Sequence, residues 1–396
     1  MSVYEECNYV SLRISLLFKF KEKGFEKNQQ LMKKIKILYT IPNFDTAGSG
    51  KVVYDLVKNL DKNKFKPEIC CFHNKGGFFK EVEKLGVKIH IVPFTTSYKP
   101  YATFPMRVLK ISRFLKRNKF DIIHSWHWSS DFSEPLAAKL AGIKYVYTKK
   151  AMSWGNKAWV WRSKLSSEII TINNDMLLQF FNAMQHKIVQ IPLGVDVNYF
   201  KPIPKSYKSP EIIEFKKEDF IIVSVANLVA VKGIELLLTA IKNLDDATIK
   251  ILIIGDDSSE YGQNLSKQFT HKNIYFLGKK MDVRPYLALA DLFIIPTKDE
   301  GRKEGMPIAP LEAMAMGKIV LGSKISGIKD ILKEFPENLF EAGNIIELER
   351  KIVEIKSMDN NTRKLLEAKT RKYVVDNLSI DKFIYNHEKF YTNLMI

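Results

Sequence analysis

The hydrophobic pattern changes period in a regular way along the chain. Short continuous apolar runs, the kind that fill a strand buried on both faces, alternate with segments whose apolar positions recur every three or four residues. The first run is IKILYTI at 35–41. A loop with Gly48 and Gly50 follows it, then the helical pattern VVYDLVKNL. Further strands are predicted at 68–72, 88–92, 121–124, 145–148, 169–172 and 188–191. The segment 192–210 is rich in proline and polar residues and reads as a linker. A second train opens with strand 220–225 and the helix IELLLTAIKNL after Gly233. It continues with strands 248–254, 274–277, 292–296 and 319–322, and from about residue 345 the pattern is helical throughout. Strands alternating with helices predict parallel sheets flanked by helices, and two such trains predict two sheets. The length agrees, because 396 residues exceed what one core usually holds. The expected division is an N-terminal extension 1–31 ahead of Met32, a first domain 32–200 and a second domain 201–375. A last helix, 376–396, is expected to pack back toward the first. Ligands of such sheets bind beyond the carboxyl ends of strands, so the loops there carry most weight.

Composition narrows the class. Hydrophobic residues make up 46% and charged residues 27% of the chain, enough apolar material to fill both cores. No run of 18 or more apolar residues occurs, so no membrane-spanning helix is predicted. Arg13 and Lys19 interrupt any leader-like core near the start. Cys7, Cys70 and Cys71 cannot build a disulfide framework, and in FKPEICCF the last two read as buried strand thiols. The expected location is the cytoplasm. The net charge of +18 is unevenly placed: residues 31–200 carry 27 Lys/Arg against 12 Asp/Glu, residues 201–396 carry 30 against 28. A basic first domain can attract nucleic acid, anionic lipid or an acidic substrate, and no nucleic-acid module is recognisable. In 104–119, FPMRVLKISRFLKRNK, helical spacing sets Val108, Ile111 and Leu115 on one face, with Arg107, Lys110, Arg113 and Arg117 around the others. Such a helix fits peripheral contact with the inner face of an anionic membrane. It fits equally an ordinary surface helix with a solvated basic side.

The stretch that carries chemistry is 299–317, DEGRKEGMPIAPLEAMAMG, between a predicted strand and the next. Pro307 and Pro310 disfavour helix before about residue 309, so Glu304 falls in a loop and Glu312 in the following helix. Free backbone N–H groups at that helix start can cradle phosphate oxygens, and two flanking carboxylates can accept hydrogen bonds from sugar hydroxyls. In isolation an E-x7-E spacing is common, and a charged loop leading into a plain helix is the alternative. The glycine loop 48–50 fits neither a dinucleotide fingerprint, which needs Gly where Val53 stands, nor a Walker A loop, which needs Gly at Asp45 and Ser or Thr at Val52.

The motif EGMPIAPLEAMAMG resembles the hallmark of the retaining family 4 glycosyltransferases. ANLVAVKGIELLLTAI, ILIIGDD, FLGKKMDVRPYLALADLFIIPT and, in the first half, IPNFDTAGSGKVVYDLVKNL, FDIIHSW and IPLGVDVNYFKP resemble further family segments in the right order. The resemblance covers nearly the whole chain from Met32. It implies a GT-B fold, α/β, with two Rossmann-like domains facing a cleft. It also implies a nucleotide-diphosphate sugar as co-substrate and transfer to a saccharide or lipid-linked acceptor with retention. By the same resemblance Glu304 contacts the donor sugar and the N–H groups of Gly305, Met306 and Ile308 face the sugar and diphosphate, while Pro307 has none to offer. Glu312 holds the ribose, Lys232 neutralises the diphosphate, and Gly48, Ser49 and Gly50 close over the phosphates.

Two departures stand out. The family's Arg before Lys-Gly is missing, with Asn227 and Val229 in its place, and Arg302 or Lys303 is the available substitute. Its first-domain His is replaced by Lys149 or Lys150, which suits a phosphate or other acidic group on the acceptor, or the donor itself, better than base chemistry. In HSWHW, His124 reads as structural, while Trp126, His127 and Trp128 read as acceptor-facing. Trp154, Trp159 and Trp161 fit sugar stacking or core. No metal is expected: the H-x-x-H has Asp131 and Glu134 beyond it but no fixed third ligand, and Asp256-Asp257 lacks Asp-x-Asp spacing. Surface polysaccharide, capsule or lipopolysaccharide assembly is the expected setting. A sugar-nucleotide epimerase and a catalytically silent sugar-binding partner of the same fold are the alternatives.

Overall fold

The computed structural model describes residues 33–45, 47–204, 215–300 and 305–396. The expected extension 1–31 and the residues Arg302, Lys303 and Glu304 lie outside the described residues. Two sheets are present, and every strand pairing in both is parallel. The first contains β1 (Ile35–Thr40), β2 (Phe65–Cys71), β3 (Ile89–Ile91), β4 (Ile122–Ser125), β5 (Lys144–Lys149), β6 (Glu168–Thr171) and β7 (Ile188–Gln190), in the order β3-β2-β1-β4-β5-β6-β7. The second contains β8 (Phe220–Val225), β9 (Ile249–Ile254), β10 (Ile274–Phe276), β11 (Leu292–Ile295), β12 (Ile319–Ser323) and β13 (Leu339–Phe340), in the order β10-β9-β8-β11-β12-β13.

Most predicted strands appear within a residue or two of their expected limits. β2 starts earlier than expected, at Phe65, with Pro67 opposite Ile37. β13 had no signal, since two residues at a sheet edge are too few to show a period. The helical region after 345 is three helices, Ile345–Lys356, Asn360–Asn377 and Ile380–Leu394. Asn344, Asp359 and Ser379 cap them, each side chain accepting from backbone N–H groups of the first turn.

Helix Phe104–Arg117 buries Val108, Ile111 and Leu115 against one face of the first sheet, as its spacing requires. The opposite face is covered by helix Ala47–Asn59 and by the last helix, whose Phe383, Ile384, Phe390 and Tyr391 are buried. Each such side chain contributes roughly 1.5–3 kcal/mol on burial. Tyr391 reaches the centre of the first sheet, where its hydroxyl lies 3.0 Å from that of Tyr39 and 2.6 Å from His124 Nδ1. The start of the predicted linker is not a loose tether. Leu193, Val195 and Val197 are buried, and Val195 exchanges backbone hydrogen bonds with Leu378 and Ile380. Proline and polar content hid this seam from the sequence.

Candidate active site

In each sheet the strand order reverses at one place, between β1 and β4 in the first and between β8 and β11 in the second. The crevice beyond the carboxyl ends at such a reversal is where open α/β sheets hold ligands. Ser49 follows β1, the segment Trp126–His127 follows β4, Lys232 follows β8, and the loop ending at Gly305–Ile308 follows β11. Lys149 ends β5 next door, and Lys150 is the residue after it.

On the second-domain side Lys232 closes a 3₁₀ turn, Ala230–Lys232, and is half-buried. The turn ends on Gly233 with φ +65°, and an added Cβ there would lie 2.2 Å from the carbonyl oxygen of Pro296. Only glycine lets the Lys232 loop close on the end of β11 in this way. Asn227 and Val229, where the family's Arg is missing, are exposed.

Gly305 sits where the domains touch. A Cβ on it would lie 1.9 Å from the carbonyl oxygen of Lys150, and its own carbonyl accepts from Asn173 Nδ2 at 2.5 Å. Met306 is buried, and its sulfur accepts the N–H of Leu193 at 3.2 Å. Its side chain is therefore a wedge between the domains and leaves only its backbone to face a ligand. Pro307 is buried. Among the described residues, none accepts from the N–H groups of Gly305, Met306 or Ile308. Helix Ala309–Ala315 starts directly after them, with Pro310 in its first turn as expected. Glu312, one turn on, is half-buried, and no described residue donates a hydrogen bond to its carboxylate. Burial pushes its carboxyl up to about 7, against the pull of Lys51 from the first domain. Lys51 also pairs with Asp55 on its own helix.

On the first-domain side Gly48 breaks the helical geometry at the start of helix Ala47–Asn59. Gly50 packs beneath the ring of Phe44, and Ser49 Oγ accepts from Lys150 Nζ at 3.0 Å. Lys150 Nζ also donates to the Trp126 carbonyl at 2.5 Å. Lys149 is buried, its ammonium bonded to the carbonyls of Ala151 and Ser153 and lying 3.9 Å from the ring centroid of Trp154. Of the two lysines, Lys150 is thus the one directed at the glycine loop.

Trp126 corrects an expectation. It is 1% exposed, because strand alternation carries past β4 and turns its ring inward beside His124, so it cannot face an acceptor. Trp128, 60% exposed, stands at the surface instead. Trp154 and Trp159 stack at 5.1 Å against Phe180 and Phe181 and are part of the packing, whereas Trp161 is exposed. His124 bonds Tyr391 and Thr148, and burial holds its pKa well below the usual value, with His387 and Lys150 adding to the effect.

Three positions that hold the loops of the site were not given that role by the sequence. Arg162, 1% exposed, clamps the loop after β4 through the carbonyls of His127 and Ser129 and bonds Ser125 and Tyr145. Glu134 balances it from a fully buried site, accepting from Thr40, Ser125 and Tyr145. Asn173 caps helix Asn174–Phe180 while holding Gly305, and its neighbour Asp175 meets Ser326 and Lys329 across the cleft. A cap signature, NND after a strand, was the available signal for the third. Glu134 stood out only as a carboxylate beyond HSWHW, and an isolated Arg offered no signal.

Residues 206–373 match the model of the glycosyl transferases group 1, and residues 46–199 that of glycosyltransferase family 4. An Escherichia coli UDP-Gal:alpha-D-GlcNAc-diphosphoundecaprenol alpha-1,3-galactosyltransferase is 24% identical over 73% of this chain and 79% of its own. A Campylobacter jejuni N,N'-diacetylbacillosaminyl-diphospho-undecaprenol alpha-1,3-N-acetylgalactosaminyltransferase is 24% identical over 72% and 81%. The crystal structure of a glycosyltransferase from Rickettsia africae superposes with a TM-score of 0.80 at 20% identity, covering 92% of this chain and 99% of the other. Anabaena HepE in complex with UDP and glucose gives 0.73 at 17%, covering 90% and 99%. The chain belongs to the family 4 glycosyltransferases and has their GT-B fold, two Rossmann-like domains across a cleft. It is a glycosyltransferase. Among the described residues no helix is long and apolar enough to cross a membrane.

Proposed function

We propose that the chain moves a hexosyl group from a nucleotide-diphosphate donor to a saccharide or lipid-linked acceptor, with retention, in bacterial surface polysaccharide biosynthesis. The observation that carries this reading is the donor loop. The N–H groups of Gly305, Met306 and Ile308 have no described acceptor beside a half-buried carboxylate, Glu312, that has no described donor. A nucleoside diphosphate sugar supplies both, its phosphates accepting from the N–H groups and its ribose hydroxyls donating to Glu312. Lys232 is placed on the adjacent loop to offset the charge that grows on the departing diphosphate. Glu304 is the residue assigned to the donor sugar.

Among the described residues no side chain of the cleft stands out as a covalent nucleophile, which favours a front-face route. In that route the departing diphosphate takes the proton of the attacking acceptor hydroxyl, and the protein positions the two reactants. With cationic and backbone groups serving the diphosphate, the reaction is assigned as metal-independent and without further cofactor. The two relatives named for diphosphoundecaprenol-linked acceptors favour a lipid-linked substrate. Helix Phe104–Arg117 supports peripheral contact with the inner face of the cytoplasmic membrane, since it exposes Met106 and Leu109 among Lys110, Arg113, Lys116 and Arg117.

The test is transfer from UDP-, GDP- and ADP-sugars to a diphospholipid-linked N-acetylglucosamine in the presence of EDTA, with the product anomer read by NMR. Glycosylated product of retained configuration is expected, and it should be lost in Glu304→Ala. Donor turnover into an epimer without any acceptor would favour the epimerase reading. Nucleotide binding with no turnover would favour the silent partner.

A further inference from the structure

The seam between the domains is held, behind the donor loop, by a carboxylate that the donor site itself does not use. β12 ends at Ser323, and a short loop leads through Gly327 into helix Ile328–Ile331. Asp330, in the first turn of that helix, is half-buried and accepts two backbone N–H groups. Its Oδ2 takes the N–H of Gly327 in its own domain at 3.1 Å. Its Oδ1 takes the N–H of Asn174 in the first domain at 2.9 Å. Both N–H groups stand at helix starts, where no intrahelical carbonyl is available to them. One carboxylate thus completes two helices, one in each domain, and its charge suits both ends.

Both bonds lead to Gly305. Gly327 has φ +80°, and an added Cβ there would lie 2.2 Å from the Gly305 carbonyl oxygen, so the two backbones pack directly on each other. Asn173, the residue before Asn174, donates from Nδ2 to the same carbonyl oxygen at 2.5 Å. The Gly305 carbonyl is therefore backed by one partner of Asp330 and hydrogen-bonded by the neighbour of the other. The peptide that joins Gly305 to Met306 is planar and trans, so its N–H points opposite to its C=O. A tether on the carbonyl also fixes the direction of the Met306 N–H, one of the groups assigned to the donor. The contacts of Asp175 with Ser326 and Lys329 lie on the same seam.

We propose that Asp330 is a positioning residue for the donor. By bridging the two helix starts it holds the domains in the arrangement that orients the Met306 N–H, while its own oxygens are engaged by backbone and leave the nucleotide untouched. The proposal rests on the transferase reading above. It goes beyond it by placing control of donor affinity at the domain seam.

The experiment uses the full chain, with UDP, GDP and ADP titrated by calorimetry and the tightest binder carried through. Asp330→Ala should weaken that nucleotide about tenfold, and Asp330→Asn, which keeps one acceptor oxygen, should weaken it less. Asn174→Pro makes a second cut, removing the N–H that Asp330 accepts while Asp330 stays in place. Proline suits a first helical position, and Asn173 already has the extended backbone, φ −147° and ψ 166°, that a following proline needs. This variant should weaken the nucleotide several-fold, and it alone carries the test if Asp330→Ala fails to fold. The double variant should bind no more weakly than Asp330→Ala, because both changes cut the same bond. Donor KM should rise more than kcat falls, with urea midpoints close to wild type. Lys324→Ala, which breaks an exposed pair with Glu341 on the same loop, should change none of these. Unchanged nucleotide affinity in Asp330→Ala and Asn174→Pro would overturn the proposal, and so would losses that multiply in the double variant. If the wild type binds none of the three nucleotides, the donor reading falls separately and small-angle scattering decides. Asp330→Ala should then still enlarge the radius of gyration, and an unchanged radius would remove the role given to Asp330.

Discussion

Glu134 and Glu312 are carboxylates that each lose much of their water, one on either side of the cleft, and the fold treats them in opposite ways. Glu134 accepts hydrogen bonds from three side chains and faces the Arg162 guanidinium, so its charge is answered within the protein. Burial still raises its pKa, with Arg162 the main opposing influence. Glu312 has no described hydrogen-bond donor, and only Lys51 across the cleft moderates its rise to about 7. A satisfied buried carboxylate shapes a loop. An unsatisfied one at a cleft is set out for a ligand. The first domain uses these polar side chains to hold its own loops, whereas the second leaves Glu312 and the N–H groups of Gly305, Met306 and Ile308 without described partners.

The largest effect should come from Glu134→Ala, which strips three donors of their acceptor and leaves a guanidinium buried without its counter-charge. A loss of about 3–5 kcal/mol in urea unfolding is expected. A loss below about 1 kcal/mol would show that the network is not the scaffold described. Gly305→Ala sharpens the contrast from the other side, since its methyl would meet the Lys150 carbonyl and hold the domains apart. Turnover should fall roughly a hundredfold, because the reactants are misplaced, and stability should fall less than in Glu134→Ala, since the methyl also presses on the buried Ile172.

Glu312→Gln should act oppositely to Glu134→Ala on stability while weakening nucleotide affinity about ten- to a hundredfold. The sign follows from the raised pKa. The folded protein binds a proton that the unfolded chain has released between pH 4.5 and about 7, so this group's contribution favours folding less and less as pH climbs through that window. The Gln variant lacks that decline and should exceed the wild type by up to about 3 kcal/mol at pH 8, with little difference at pH 4. A Gln variant less stable than wild type at pH 8 would mean that Glu312 has found a partner. The smallest effect is reserved for Asn173→Ala. It removes one cap and one bond to Gly305, for about 1 kcal/mol, and should raise the donor KM more than it lowers kcat.

What could be read in advance follows the same division. Parallel buried strands declare themselves as apolar runs, and the donor loop carries glycines and prolines whose backbone demands leave a pattern. Lys232 and Glu312 were therefore legible as positions. The first-domain wall was only partly so. Lys150 and His127 were visible as unusual residues beside strands, but Trp126 was assigned to the wrong side, because alternation does not announce where a strand's influence ends. Arg162 and Glu134 lie 28 residues apart in sequence and mean nothing until the sheet brings them together. Lys51 was given no role in the sequence reading, although its charge reaches Glu312 across the cleft.

The last helix ties Tyr391 into the heart of the first sheet, through Tyr39 and His124. On the ribosome this inverts the usual order of assembly. The domain whose strands emerge first must wait, with the part of one face beyond helix Ala47–Asn59 uncovered, until the whole second sheet has been made and residues 380–394 have left the exit tunnel. A nascent chain stalled before residue 380 should expose the apolar face around Tyr39 and Phe65 and recruit holding chaperones, while its second sheet is already able to close.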